Sequence, residues 1–133
     1  MKRSIVNEQI RLAKTFLEQH KFVLPPFSRW KVSDWKKIMS SPDLKRRFSN
    51  IIDRGLGWDI TDRGLGNFNE VGLLLFTLRN GRSNSPRDYA EKVLIVQEQQ
   101  VTPWHYHWKK CEDIINRGGG VLMSIFRFLL NFR

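Results

Sequence analysis

Cysteine occurs once in this chain of 133 residues, at Cys111. A single thiol cannot close an internal disulfide, which excludes a stapled secreted fold and makes a reducing cytoplasm the expected compartment. Long apolar runs are missing as well. No stretch reaches the roughly 18 residues that a membrane-crossing helix requires, so no membrane partner is expected. Residues 1–20 carry charge throughout and read as an amphipathic helix rather than the apolar core of a signal sequence. Acidic residues are scarce: 13 Asp and Glu stand against 23 Lys and Arg, a net charge of +10. That imbalance suits anionic partners. The basic residues are scattered from Lys2 to Arg133, however, with one dense cluster at Lys36, Lys37, Lys45, Arg46 and Arg47. A merely basic surface is the simpler reading, and nucleic acid is not the expected partner.

What the chain does have is apolar and aromatic content. Hydrophobic residues make up 41%, including nine Phe and five Trp, enough for one folded domain with a modest core. Val6, Ile10, Ala13 and Phe16-Leu17 recur at three- and four-residue spacing and predict a helix over residues 4–20, with Ser4 as its cap. Leu24-Pro25-Pro26-Phe27 ends it in an extended connector. A short helix is expected from Asp34 to about Met39, capped by Ser33, and a further helical piece through Phe48. Asp53-Arg-Gly-Leu-Gly57 and Asp62-Arg-Gly-Leu-Gly66 form a small duplication. With no strand before and no helix after them, these read as two glycine turns around a short strand, Trp58 to Thr61, not as a phosphate-binding loop.

From Val71 the pattern becomes β. Val71 to Arg79 predicts a buried strand, and Asn80 to Pro86 a loop with Asn-Gly turn chemistry. Further strands are expected at Glu91–Glu98, Gln100–Trp108, Cys111–Asn116 and Val121–Phe132, with Gly118-Gly119-Gly120 stopping the fourth. Helices in front and short strands behind point to a mainly β sandwich or barrel with an N-terminal helical cover.

The chemistry concentrates in Val101-Thr-Pro-Trp-His105-Tyr-His107-Trp-Lys-Lys-Cys-Glu112. On an extended segment His105 and His107 share a face, and a carboxylate five residues on can return to it after a turn. Two imidazoles and one carboxylate leave the remaining positions of a metal open, as Mn(II) or Fe(II) chemistry requires. His105, His107 and Glu112 are therefore the candidate metal ligands. His20, at the end of the first helix, suits a solvent-facing group or a helix C-terminal cation better than a fourth ligand. Trp104, Tyr106 and Trp108 alternate with the histidines and read as core or interface. Cys111 reads as a packing residue. Lys92 opens the strand before the metal segment. If that strand faces the same cavity, Lys92 could stabilise negative charge developing on a substrate.

HxH followed by x4-E is the ligand core of the first cupin motif. Together with Phe22-Val-Leu-Pro-Pro-Phe27, Leu56-Gly-Trp-Asp-Ile-Thr-Asp62, Leu75-Phe-Thr-Leu-Arg-Asn-Gly81 and Tyr89-Ala-Glu-Lys92, it resembles the bacterial D-lyxose isomerases, cupin-type ketol-isomerases. The likeness runs from the N-terminus to about Gly120. It implies a cupin barrel (a double-stranded β-helix, or jelly roll), incomplete here, with residues 1–50 as helical cover and 51–133 as partial barrel in one unit. It implies Mn(II), with Fe(II) or Co(II) as alternatives, a small sugar substrate and a homodimer. It further implies interconversion of D-lyxose and D-xylulose through an enediol. In that scheme His105, His107 and Glu112 match the family's first three ligands, Lys92 matches a pocket lysine, and a carboxylate such as Glu112 moves the proton.

Two departures stand out. The family motif begins with Gly six residues before its first histidine, where this chain has Gln99. Beyond Gly120 the sequence is expected to leave the family pattern. The histidine and glutamate that the resemblance places further on are absent from these 133 residues. The expectation is a truncated barrel whose open edge and terminal Phe126, Phe128, Leu129, Leu130 and Phe132 favour association. Rival readings are a cupin Fe(II) dioxygenase, a non-enzymatic basic module that binds nucleic acid, and an inactive remnant.

Overall fold

A computed structural model describes residues 1–81, 88–108 and 111–125. The first helix, α1 (Arg3–Gln19), presents Ala13 and Leu17 to the interior, as the three- and four-residue spacing requires. It begins one residue earlier than expected, and Ser4 does not cap it: Lys2 holds the cap position without a side-chain bond. Pro25 then starts an extended link into a single 3₁₀ turn, Pro26–Arg29. Three short helices follow: α2 (Val32–Ser40), α3 (Pro42–Arg47) and α4 (Ser49–Asp53). The cap of α2 also differs from the expected Ser33. Asp34 Oδ2 instead accepts from the Lys31 amide at 2.7 Å, one turn back.

The sheet has three antiparallel strands in the order β1 (Gly57–Thr61), β2 (Leu73–Arg79) and β3 (Glu91–Ile95). Each lies inside the range expected for it except that β1 gains Gly57. Val71 belongs to a one-turn helix, α5 (Phe68–Val71), which closes at Gly72. A Cβ at Gly72 would stand 2.1 Å from the Phe68 carbonyl oxygen, so only glycine permits this tight exit into β2.

The strand register sorts side chains onto two unlike faces. Trp58, Phe76 and Val93 line up across the sheet, as do Ile60, Leu74 and Ile95. This face meets Ala13 and Ile10 of α1 and Phe68 of α5. Phe76 is fully buried between the Phe27 and Trp58 rings, 5.3 and 5.0 Å away. From Phe27 a chain of edge-to-face rings runs through Trp30 to Trp35 and Phe48, tying α2 and the end of α3 to the sheet. The opposite face carries Asp59, Leu75 and Leu94, then Gly57, Thr77 and Lys92. On this face Lys92 and Leu94 are exposed, whereas Leu75 is half-buried and Thr77 buried. A bulge between Thr77 and Arg79 lies beside Lys92.

Trp58 also ties the sheet to the 3₁₀ turn: its Nε1 donates to the Ser28 carbonyl at 3.0 Å. Trp58→Phe, which keeps most of the ring but leaves that carbonyl short of a partner, is expected to cost about 1 kcal/mol. Urea unfolding of the two proteins checks this.

The second half departs most from expectation. Gln100–Trp108 and Cys111–Asn116 are not strands, and residues 121–125 have no regular structure either. The remainder of the expected fifth strand, with Phe126 to Phe132, lies outside the described residues, as does most of the Asn80–Pro86 loop. The described residues thus form helices plus a small open sheet, with helix outweighing strand, where a mainly β unit was expected. The physical reason is pairing. A period-2 pattern directs side chains, but a strand exists only where a neighbour accepts its backbone bonds. Among the described residues β3 pairs with β2 alone.

Candidate metal centre

Val101 enters the histidine segment under restraint. Its amide donates to the Glu70 carbonyl at 2.7 Å, and Gln100 Nε2 donates to the Phe68 carbonyl at 2.6 Å. Just before it, residues 97–100 make a turn in which Gln99 has φ +64. The resemblance implies Gly at this position, and a left-handed conformation is one that glycine adopts readily. A glutamine there carries about 1–2 kcal/mol of backbone strain. Gln99→Gly, offset partly by glycine's greater unfolded entropy, is expected to stabilise by roughly 0.5 kcal/mol in thermal unfolding.

Although no described strand pairs with this segment, side chains two apart still meet. The His105 and His107 rings lie 5.1 Å apart, and those of Tyr106 and Trp108 lie 5.0 Å apart. Alternation of this kind marks a locally extended chain. His107 Nε2 lies 3.2 Å from Glu112 Oε2. One donor atom from each of His105, His107 and Glu112 falls within 4.8 Å of the others, so the structure brings together the three residues that the spacing singled out. All three are exposed.

The donor set suits a divalent ion. Donors roughly 2.1 Å from a shared ion and at right angles lie about 3 Å apart, a spacing that the His107–Glu112 pair already has. His105 Nδ1 sits 3.0 Å from the Pro103 carbonyl. A carbonyl only accepts, so this contact places the proton on Nδ1 and leaves the Nε2 lone pair for a ligand. An open hollow of about 370 Å³ lies alongside, lined by Glu112, Asp113, Ile114, Asn116, Leu122 and Ser124.

Lys92 is not joined to this group. It stands on the open face of the sheet opposite Thr77 and, among the described residues, has no hydrogen bond or ion pair to the three donors. Its strand is held nearby by Arg79, which bonds the Tyr89 hydroxyl at 2.6 Å and lies 3.7 Å from Glu91. Trp104, Tyr106 and Trp108 are exposed, which corrects the core half of their core-or-interface reading. Cys111 is exposed too and does not pack as expected. His20 is the C-cap of α1, the position foreseen for it.

Two other features could have held ligands. The second Asp-Arg-Gly-Leu-Gly repeat does lie between β1 and α5, contrary to expectation. Its amides are spent locally, however: Arg63 N donates to Thr61 Oγ1 and Gly64 N to Asp62 Oδ1. Beneath α1, a hollow of about 160 Å³ is lined by Lys14, Glu18, Lys21 and Arg29. Burial, and then the Arg29 charge, push the Lys14 ammonium below the usual amine range, while Glu18 opposes them. Neither feature carries a set of groups for catalysis.

The sequence matches the D-lyxose isomerase family over residues 1–128. The match therefore continues past Gly120, where it was expected to end. The chain is 43% identical over 126 residues to a D-lyxose/D-mannose isomerase of Escherichia coli O157:H7, covering 92% of this chain and 53% of that protein. It is 41% identical over 126 residues to a D-lyxose/D-mannose isomerase of Serratia proteamaculans, with the same shares covered. The chain thus spans about half the length of these curated relatives. Among the described residues, no helix is long and apolar enough to cross a membrane.

Proposed function

This chain belongs to the D-lyxose isomerase family, and from that premise we propose that it works in aldose–ketose isomerisation of D-lyxose or D-mannose at a divalent metal held by His105, His107 and Glu112. The observation that carries the reading is the convergence of those three donors within 4.8 Å in a chain of this family. The ion proposed is Mn(II), with Fe(II) or Co(II) able to use the same donors. Once bound, it supplies Lewis-acid polarisation of a sugar carbonyl.

The chain's own residues divide the remaining work. His105 and His107 offer neutral nitrogens, with the Pro103 carbonyl fixing the His105 tautomer. Glu112 adds the negative charge and, as a carboxylate, moves a proton between neighbouring sugar carbons. Lys92 stabilises charge on a substrate oxygen from the open face of the sheet. A cupin barrel is the complete architecture proposed, and the exposed Lys92 and Leu94 on that face support it as a face for further strands to cover. The assembly proposed is a cytoplasmic homodimer.

Incubation with D-lyxose and Mn(II), followed by ketose detection, tests the activity. Conversion that disappears in Lys92→Met and in Glu112→Gln supports the assignment. Oxygen consumption with Fe(II) in place of isomerisation would transfer the site to dioxygenase chemistry.

The exposed apolar residues between Leu94 and Ile125, among them Val101, Trp104, Trp108 and Val121, are expected to drive self-association. Sedimentation velocity should show species larger than 15.8 kDa that grow with concentration. A monomer across the whole concentration range contradicts this.

A further inference from the structure

We propose that the hollow beneath α1 is a binding site for a phosphate monoester, with Lys14, Lys21, Arg29 and Ser28 as the groups that hold the phosphate. None of the three metal donors lines this hollow, so the proposal goes beyond the isomerase reading and stands without it. Local structure gathers the residues. Lys14, Leu17, Glu18 and Lys21 recur at three- and four-residue spacing along α1 and its exit, and so share one side. Lys21 has φ +56, a left-handed step that turns the chain out of the helix. The 3₁₀ turn Pro26–Arg29 then returns Ser28 and Arg29 to the same hollow.

Three cations line this space against one carboxylate, Glu18. Among the described residues, none of the three is in an ion pair or a side-chain hydrogen bond. Lys14 is half-buried, and after burial itself the Arg29 charge is what disfavours its ammonium form. The two cations therefore act on one another, and a bound anion relieves that repulsion. Ser28 supplies an independent observation. The residue is only 4% exposed, yet its hydroxyl makes no hydrogen bond among the described residues. Arg63 Nε is the one fully enclosed side-chain atom without a partner there, so the Ser28 hydroxyl keeps an opening, and the hollow is the space it lines. Buried hydroxyls nearly always find a partner; a phosphate oxygen supplies one. The carbonyl end of a helix disfavours anions, but the last carbonyls of α1 are engaged. Those of Phe16, Leu17 and Glu18 accept from the His20, Phe22 and Lys21 amides at 3.1, 2.8 and 3.0 Å.

The donor set favours phosphate over carboxylate. Two ammonium groups, a guanidinium and a hydroxyl offer more donors than two carboxylate oxygens accept. A phosphate monoester brings three terminal oxygens and close to two negative charges near neutral pH. Leu17, Phe22 and Leu24 add an apolar lining for the organic part of the ester. A single water requires about 10–15 Å³ of such space, and the hollow offers about 160 Å³.

Amide chemical-shift titrations of the full chain with inorganic phosphate and with phenyl phosphate test this. Ionic strength is held constant, so that the general pull of a chain of net charge +10 stays fixed. Saturating shifts confined to residues 14–30 are expected, with phenyl phosphate bound the more tightly. Lys14→Gln combined with Arg29→Gln should weaken binding by about tenfold or more, and Ser28→Ala by about tenfold. Glu18→Gln, at an exposed position, should tighten it by roughly threefold, a gain that damage to the fold would not produce. Lys36→Gln combined with Lys37→Gln removes the same charge from the dense basic cluster and should leave affinity within about twofold. Equal weakening by the two double variants overturns the site, as do shifts spread over the basic surface without saturation. Weakening by Lys14→Gln and Arg29→Gln with no gain from Glu18→Gln means lost structure and overturns it too. Equal affinity for the two probes overturns the assignment to a monoester.

Discussion

A His105→Ala, His107→Ala double variant is expected to bind Mn(II) more weakly than the parent by on the order of 100-fold or more. The estimate is a lower bound by construction. Loss of a residue that merely orients a ligand costs about 10- to 100-fold in metal affinity, and here two of three donors are removed outright. The two imidazoles are exposed and contact chiefly each other and Glu112. Their removal should therefore leave the fold intact, so a circular dichroism spectrum equal to the parent's separates lost ligation from lost structure. Isothermal titration at one pH reads the effect directly. Equal affinities in the two proteins would remove the metal centre from the account and with it the chemistry proposed for the chain.

Phe76→Ala should produce the largest loss of stability of any single truncation, about 3–5 kcal/mol. Phe76 is the largest fully buried side chain described, and it meets the Phe27 and Trp58 rings on the covered face of the sheet. The cavity lies where the 3₁₀ turn, β1 and β2 converge, so the surroundings cannot collapse into it without breaking the aromatic chain through Trp30. Domains commonly unfold at a cost of only about 5–15 kcal/mol, so the variant should lose much of its cooperative transition in urea. Leu94→Ala, on the open face and exposed, is the matched control and should change stability by less than about 0.5 kcal/mol. Similar losses at the two positions would mean that the sheet does not have one covered and one open side.

Much of the N-terminal half was legible before any coordinates. The helix over residues 4–20 followed from apolar spacing alone, and Pro25-Pro26 ended it because proline cannot continue the backbone bonding. The strands at Trp58, Leu73 and Glu91 followed from branched and aromatic runs between turn residues. Caps were less legible. Ser4 and Ser33 suit the role chemically, but neither caps a helix, and the competing Asp34–Lys31 contact decided the start of α2. The strands over Gln100–Trp108 and Cys111–Asn116 failed for a different reason: side chains do alternate over His105–Trp108, but no described neighbour pairs with either segment.

The sequence by itself determined the donor types, their spacing and the extended geometry that brings His105 against His107, because each depends on residues only a few positions apart. Only the tertiary structure decided that the site lies outside the sheet, that Lys92 stands on the face left open, and that the turn at Gly118-Gly119-Gly120 rests on α1. Those outcomes depend on contacts between residues dozens to a hundred positions apart, such as Phe16 with Gly119 or Val101 with Glu70. Local periodicity states which way a side chain points, but not which distant surface will be there to meet it.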